Sequence, residues 1–157
     1  MKARIWWIFL AAIAVLGGLS AVRSAEKRDT GPAREKLIGA WRLVSLESPG
    51  PDGKMTRTTD IKGMLLYTHD GHMSVQLMYP KSASNLSNDY VKNGYEASFG
   101  SYGVDEHAHT VTHHVQGSIT DGLVGRDLPR VFHISDGHLL ITSTRPDEHW
   151  SVTWEHY

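Results

Sequence analysis

The 157-residue chain contains no cysteine. That excludes a disulfide-stapled scaffold, a thiolate metal site, a cysteine nucleophile and lipid attachment through cysteine. An exported chain of this kind must be held by its core alone, which suits a bacterial envelope protein. The chain also lacks any long run with a 3.6-residue apolar period, so helices are not the main building material. It has no Gly-x-Ser-x-Gly elbow to present a serine nucleophile, no glycine-rich phosphate loop and no evident internal repeat.

Excess positive charge is missing as well. The chain has 16 basic and 17 acidic residues. Lys2, Arg4 and Arg23 fall in the first 24 residues, which hold no acid, so the remainder carries 13 bases against 17 acids and is net −4 with histidines neutral. This balance argues against nucleic acid as a partner.

The one long apolar run, IWWIFLAAIAVLGGLSAV from Ile5 to Val22, follows Lys2 and Arg4 and ends in small residues. This is the layout of a secretory signal peptide over residues 1–24, with cleavage after Ser24. The alternative is an uncleaved anchor, since 18 residues lie at the lower edge of a bilayer span, and only then does the membrane become a partner. Export to a bacterial periplasm or beyond is the expectation. Residues 25–36, broken by Gly31 and Pro32, read as a linker or a short helical lead-in.

From residue 37 to 157, short apolar or alternating runs separated by turn dipeptides predict a mostly β domain. Eight strands are expected, at 40–47, 63–68, 72–79, 99–104, 110–117, 128–135, 138–144 and 150–156. Asp70-Gly71 and Asp136-Gly137 each lie between two such runs and predict antiparallel hairpins. The segment from Pro80 to Ser98 lacks alternation; it reads as an insertion with a short helix around Asp89 to Ala97, or as a loop, and as either a lid or a plain surface excursion. Eight short antiparallel strands must close or protect two edges, which favours a closed up-and-down barrel over a sandwich. A barrel of that size is filled by side chains or holds one small ligand.

Four separated stretches add a resemblance. LIGAWRLVSLE carries a Gly-x-Trp at Gly39 and Trp41, and YTHDGHMSVQLM, FGSYGVDE and TVTHHVQGS follow in order. Together they resemble the lipocalin-like domain family of small bacterial and fungal proteins, through Trp41, Tyr67, Asp70, Gly71, His72, Met73, Gln76, Phe99, Tyr102, Asp105, His113 and His114. The resemblance implies a closed antiparallel barrel over about 37–157 and leaves activity open. The polar stretch from Ser82 to Tyr95 departs from the Ala-rich helical look of relatives.

His113 and His114 are adjacent on a strand and therefore point to opposite faces. Val111, His113 and Val115 share the apolar face, so His113 is expected inside and His114 outside. The same alternation places Met73, Val75, Leu77 and Tyr79 inside. It leaves Val131 with His133 opposed to Arg130 with Phe132 and Ile134, without deciding which set is interior. Trp150, Val152 and Trp154 form one face beside Trp41, as core or as pocket wall.

The expected ligand-binding residues are thus Trp41, Met73, Val75, Leu77, Tyr79, Val111, His113 and Val115. His113 is either a hydrogen-bonded core histidine or a polar fixed point for a ligand. No metal or other cofactor is implied, because His107 and His109 have no third ligand beside them. Three functions remain open: a carrier of a small, mostly apolar molecule; an isomerase or cyclase with His113 as its proton-transfer group; and a structural envelope protein with a filled barrel.

Overall fold

The structure is a computed structural model describing residues 32–50 and 52–157. The expected signal peptide or anchor and the first part of the expected linker lie outside the described residues. Within the remainder of that linker, Pro32–Leu37 forms a helix, α1, with Arg34 and Leu37 buried. The lead-in is therefore part of the fold, because its apolar and cationic side chains reach the interior.

Nine strands follow: β1 Gly39–Pro49, β2 Met55–Thr58, β3 Lys62–Tyr67, β4 His72–Met78, β5 Tyr95–Asp105, β6 Thr110–Ser118, β7 Asp127–Ser135, β8 His138–Ser143 and β9 Ser151–His156. All pair antiparallel. The order is β2-β1-β3-β4-β5-β6-β7-β8-β9, and β1 also pairs with β9. Strands β1 and β3 to β9 thus close an eight-stranded up-and-down barrel, while β2 is a short extra strand on the far end of β1. Closure removes the free edges of the main sheet.

Both Asp-Gly pairs make hairpins, joining β3 to β4 and β7 to β8. Asp136 and Gly137 both take positive φ, at 51° and 77°. Those two consecutive left-handed residues are what a tight hairpin matching the strand twist requires.

The insertion departs from expectation. The helix expected around Asp89 to Ala97 does not form: Lys81–Ala83 makes one 3₁₀ turn, the chain runs irregularly to Asn93 and Gly94, and β5 starts at Tyr95. Asn93 and Gly94 turn at φ 52° and 77°, which ends any helical path and lets the Tyr79 N–H bond the Gly94 carbonyl at 2.9 Å. β5 consequently starts four residues earlier than its apolar pattern indicates.

The barrel has two ends of different character. Helix α1, the turns after β3, β5 and β7 and the end of β9 gather at one end. There Leu37, Trp41, Tyr67, Met73, Tyr102, Val111 and Leu139 are buried in one cluster. The Trp41 indole N–H donates to the Leu37 carbonyl at 2.8 Å, and its ring lies 3.6 Å, centroid to centroid, from the His156 ring. Burying an indole of roughly 200 Å² at roughly 25 cal/mol per Å² contributes about 5 kcal/mol before ordering costs. The Gly-x-Trp spacing has a local cause. Gly39 sits at φ 134°, and a Cβ there would come within 2.7 Å of the His156 ring that packs on Trp41.

Candidate functional site

At the other end, the side chains do not fill the barrel. A cavity of about 550 Å³ occupies it, within the range of small-molecule sites. Its deep wall includes Leu65, Val75, Leu77, Ile141, Val152 and Trp154, contributed by inward positions on four strands, β3, β4, β8 and β9. Its outer part is made by Tyr79 just after the end of β4, Leu86, Tyr90 and Val91 of the insertion, Leu123 of the loop after β6, and Trp150 before β9.

Of the eight residues expected to contact a ligand, Val75, Leu77, Tyr79 and His113 line this cavity. Trp41, Met73 and Val111 do not, being packed into the closed-end cluster. Val115 is buried but is no part of the cavity wall. The inward faces of β4 and β6 follow the alternation: Met73, Val75 and Leu77, and Val111, His113 and Val115, are buried, while Gln76 and His72 are exposed. Alternation assigns a face but not a height along the barrel, so it could not separate core from cavity wall.

His113 bonds a tyrosine. Its Nε2 lies 2.6 Å from the Tyr67 hydroxyl, in the interior. Burial, with the Arg130 and His114 charges acting in the same direction, lowers the His113 pKa to about 3. Burial also raises Tyr67 far above the ordinary phenol range. Both groups are neutral at physiological pH, so the pair is a hydrogen-bonded fixture with little capacity to move a proton. His114, on the outer face, pairs instead with Asp127 at 2.6 Å.

Arg130 and Glu96 are the two charged wall residues that sequence reasoning missed. β7 turns Leu128, Arg130, Phe132 and Ile134 inward and leaves Val131 and His133 exposed, deciding the face that alternation left open. Arg130 is 6% exposed. Its guanidinium lies 5.0 Å from the Trp150 ring centre and 5.4 Å from that of Tyr90. Nη1 donates to the Pro129 carbonyl at 3.1 Å and Nη2 to the Tyr90 hydroxyl at 3.3 Å. The signal for Arg130 was its face-sharing with Phe132 and Ile134. Glu96 escaped notice because it falls where a helix was expected. Burial pushes its pKa up to about 7, against the opposing pull of Arg130. Tyr79, beside it on the wall, is raised to about 12 by burial and by the Glu96 charge.

Tyr90 ties the insertion across the cavity. Its hydroxyl donates to Glu148 Oε1 at 2.8 Å, and Glu148 also accepts from Ser143 at 2.5 Å and Trp150 Nε1 at 3.1 Å. Burial acts to raise the Glu148 pKa, but these bonds and Arg130 outweigh it, leaving the carboxyl below its ordinary value and ionised. Among the described residues no three His, Asp or Glu side chains form a cluster able to hold a metal ion.

The sequence profile described as "Lipocalin-like domain" matches residues 38–156. Among solved structures, the chain is similar to a lipocalin-like protein from Bacteroides uniformis ATCC 8492, with 12% identity over 78% of this chain and 99% of that one and a TM-score of 0.48. It is also similar to a protein from Bacteroides eggerthii DSM 20697, with 15% identity over 77% and 99% and a TM-score of 0.46. A third likeness is to the fluorescent protein UnaG, with 14% identity over 78% and 98% and a TM-score of 0.40. No curated protein matches the chain.

Proposed function

This chain belongs to the lipocalin-like domain family, and on that premise we propose that it binds a small, mostly apolar molecule inside its barrel. The observation carrying the proposal is the cavity of about 550 Å³ whose wall is mainly aliphatic and aromatic. Burying a ligand's apolar surface there contributes roughly 25 cal/mol per Å², and the few polar wall groups orient what binds. A structural protein with a filled barrel has no need of such a space. The isomerase or cyclase alternative asks His113 to exchange a proton near neutrality, and a pKa of about 3 opposes that role.

The test is titration with a panel of fatty acids, terpenoids and aromatic carbonyl compounds, followed by the fluorescence of Trp150 and Trp154, which line the cavity. Saturable binding is expected, and Val75→Trp should abolish it while thermal unfolding stays cooperative. Absence of binding across the panel would overturn the proposal. Export is proposed with it, on the strength of the Lys2 and Arg4 flank, the apolar run and the small residues before Ala25. Intact mass of the protein from a bacterial periplasm should start at or near Ala25; a full-length chain in the membrane fraction would establish the anchor instead.

A further inference from the structure

Arg130 is a permanent cation inside a mainly apolar cavity, and removing such a charge from water costs several kcal/mol unless it is well paired. Guanidinium carries five N–H groups. Only two bonds are made by it among the described residues, to the Pro129 carbonyl and the Tyr90 hydroxyl. No carboxylate among the described residues lies within 4.0 Å of it. Glu148 stands one hydroxyl away, behind Tyr90, but it is already engaged by Ser143, Trp150 and Tyr90 and by Arg145 at 3.1 Å. The remaining donors of Arg130 belong to a side chain that lines the cavity.

We propose that the molecule bound in the barrel is a monocarboxylic acid, its carboxylate paired with Arg130 and its apolar body lying along Val75, Leu77, Ile141 and Val152. This deepens the ligand-binding proposal and rests on it. Arginine's planar fork matches a carboxylate through two parallel hydrogen bonds. The Tyr90 and Trp150 rings lie against the guanidinium, so little ordering remains to be done on binding. One negative charge is the limit, because the wall offers one cation and also holds Glu96, whose carboxylate repels a second anion. Size is bounded too. At roughly 30 Å³ per water-sized group, 550 Å³ admits about 18 non-hydrogen atoms.

The experiment compares matched acids and alcohols at pH 8 by calorimetry: dodecanoic acid against dodecanol, and naphthylacetic acid against naphthylethanol. In the wild-type protein the acid of at least one pair should bind about tenfold or more tighter, as expected for a charge-assisted hydrogen-bond pair. Arg130→Gln should erase that ratio by weakening the acid while leaving the alcohol within about threefold, and Arg130→Lys should keep part of it. Glu96→Gln should tighten the acid alone. Equal affinity of acid and alcohol, or equal weakening of both by Arg130→Gln, would overturn the proposal and leave cavity binding standing. Binding of neither compound in either pair would overturn both. The wild-type ratio decides the matter even where Arg130→Gln fails to fold.

Discussion

The Tyr67 hydroxyl and the His113 Nε2 meet at 2.6 Å between β3 and β6, strands that are not neighbours in the barrel wall. The bond therefore crosses the interior, and each partner satisfies a polar atom that the other would otherwise leave buried. His113→Ala should destabilise the protein by about 1–3 kcal/mol through the orphaned tyrosine and the lost packing. His114→Ala removes a half-exposed pair with Asp127, and such pairs contribute about 0–1 kcal/mol. Urea denaturation of both variants checks the order; equal losses would mean that the interior bond contributes no more than a surface pair.

His113 and Glu96 should give stability opposite dependences on pH. His113 titrates at about 3 in the folded state against an ordinary 6.5. The unfolded chain binds the extra proton between those values, so the His113 contribution is present above 6.5 and lost as pH falls toward 3. Glu96 is raised from 4.5 to about 7, so the folded chain binds the extra proton; its contribution is present below 4.5 and lost as pH rises through 7. Arg130 and Tyr79 are the charged or titratable groups coupled to it. Glu96→Gln mimics the protonated side chain. Its melting temperature should exceed that of wild type at pH 8 and match it at pH 4, and a constant difference at both pH values would contradict the assignment.

The barrel was legible in the sequence because alternation and Asp-Gly turns are local signals, and they located eight strands in the correct order. β2 was not legible: MTRT has a single apolar residue and no alternation, and it forms a strand where the end of β1 offers it a partner. The candidate site was half legible. Val75, Leu77 and His113 were placed inside by parity of position, whereas Trp41, Met73 and Val111 share that parity but lie at the packed end. Height along the barrel depends on strand stagger, which residue type does not encode. Arg130 was assigned no face because its charge opposed what its neighbours Phe132 and Ile134 indicated.

Gly39 should tolerate no side chain. Alanine there would hold a φ of 134° that L-residues rarely adopt and would place its Cβ 2.7 Å from the His156 ring. Strain of this kind costs about 1–3 kcal/mol, and displacing His156 exposes one face of Trp41. Thermal unfolding of Gly39→Ala, His156→Ala and the double variant separates the two effects. The double variant should recover the steric part but not the backbone part, so its loss should be smaller than the sum of the single losses. Strict additivity would show that His156 does not press on this position.

Tyr90 should control how firmly the insertion covers the cavity. The segment 80–94 is braced internally, with Asn88 Oδ1 accepting from the Tyr90 and Val91 N–H groups and Val91 buried. Its hydroxyl connection to the barrel runs through Tyr90, which joins Arg130 on β7 to Glu148 before β9. Tyr90→Phe keeps the ring against Arg130 and Trp150 but removes both bonds, each to a charged partner, at about 1.5–3 kcal/mol of stability. Val91→Ala removes buried apolar surface instead and should cost about 1–3 kcal/mol. Because the tether sets local opening, amide exchange over 80–94 should speed up in Tyr90→Phe more than exchange in the strands, and naphthylacetic acid should leave the barrel faster in stopped-flow displacement. Val91→Ala should lower protection in proportion to its own loss of stability, in the strands as well as in the insertion. Unchanged exchange over 80–94 in Tyr90→Phe would mean that packing around Val91 alone holds the insertion down.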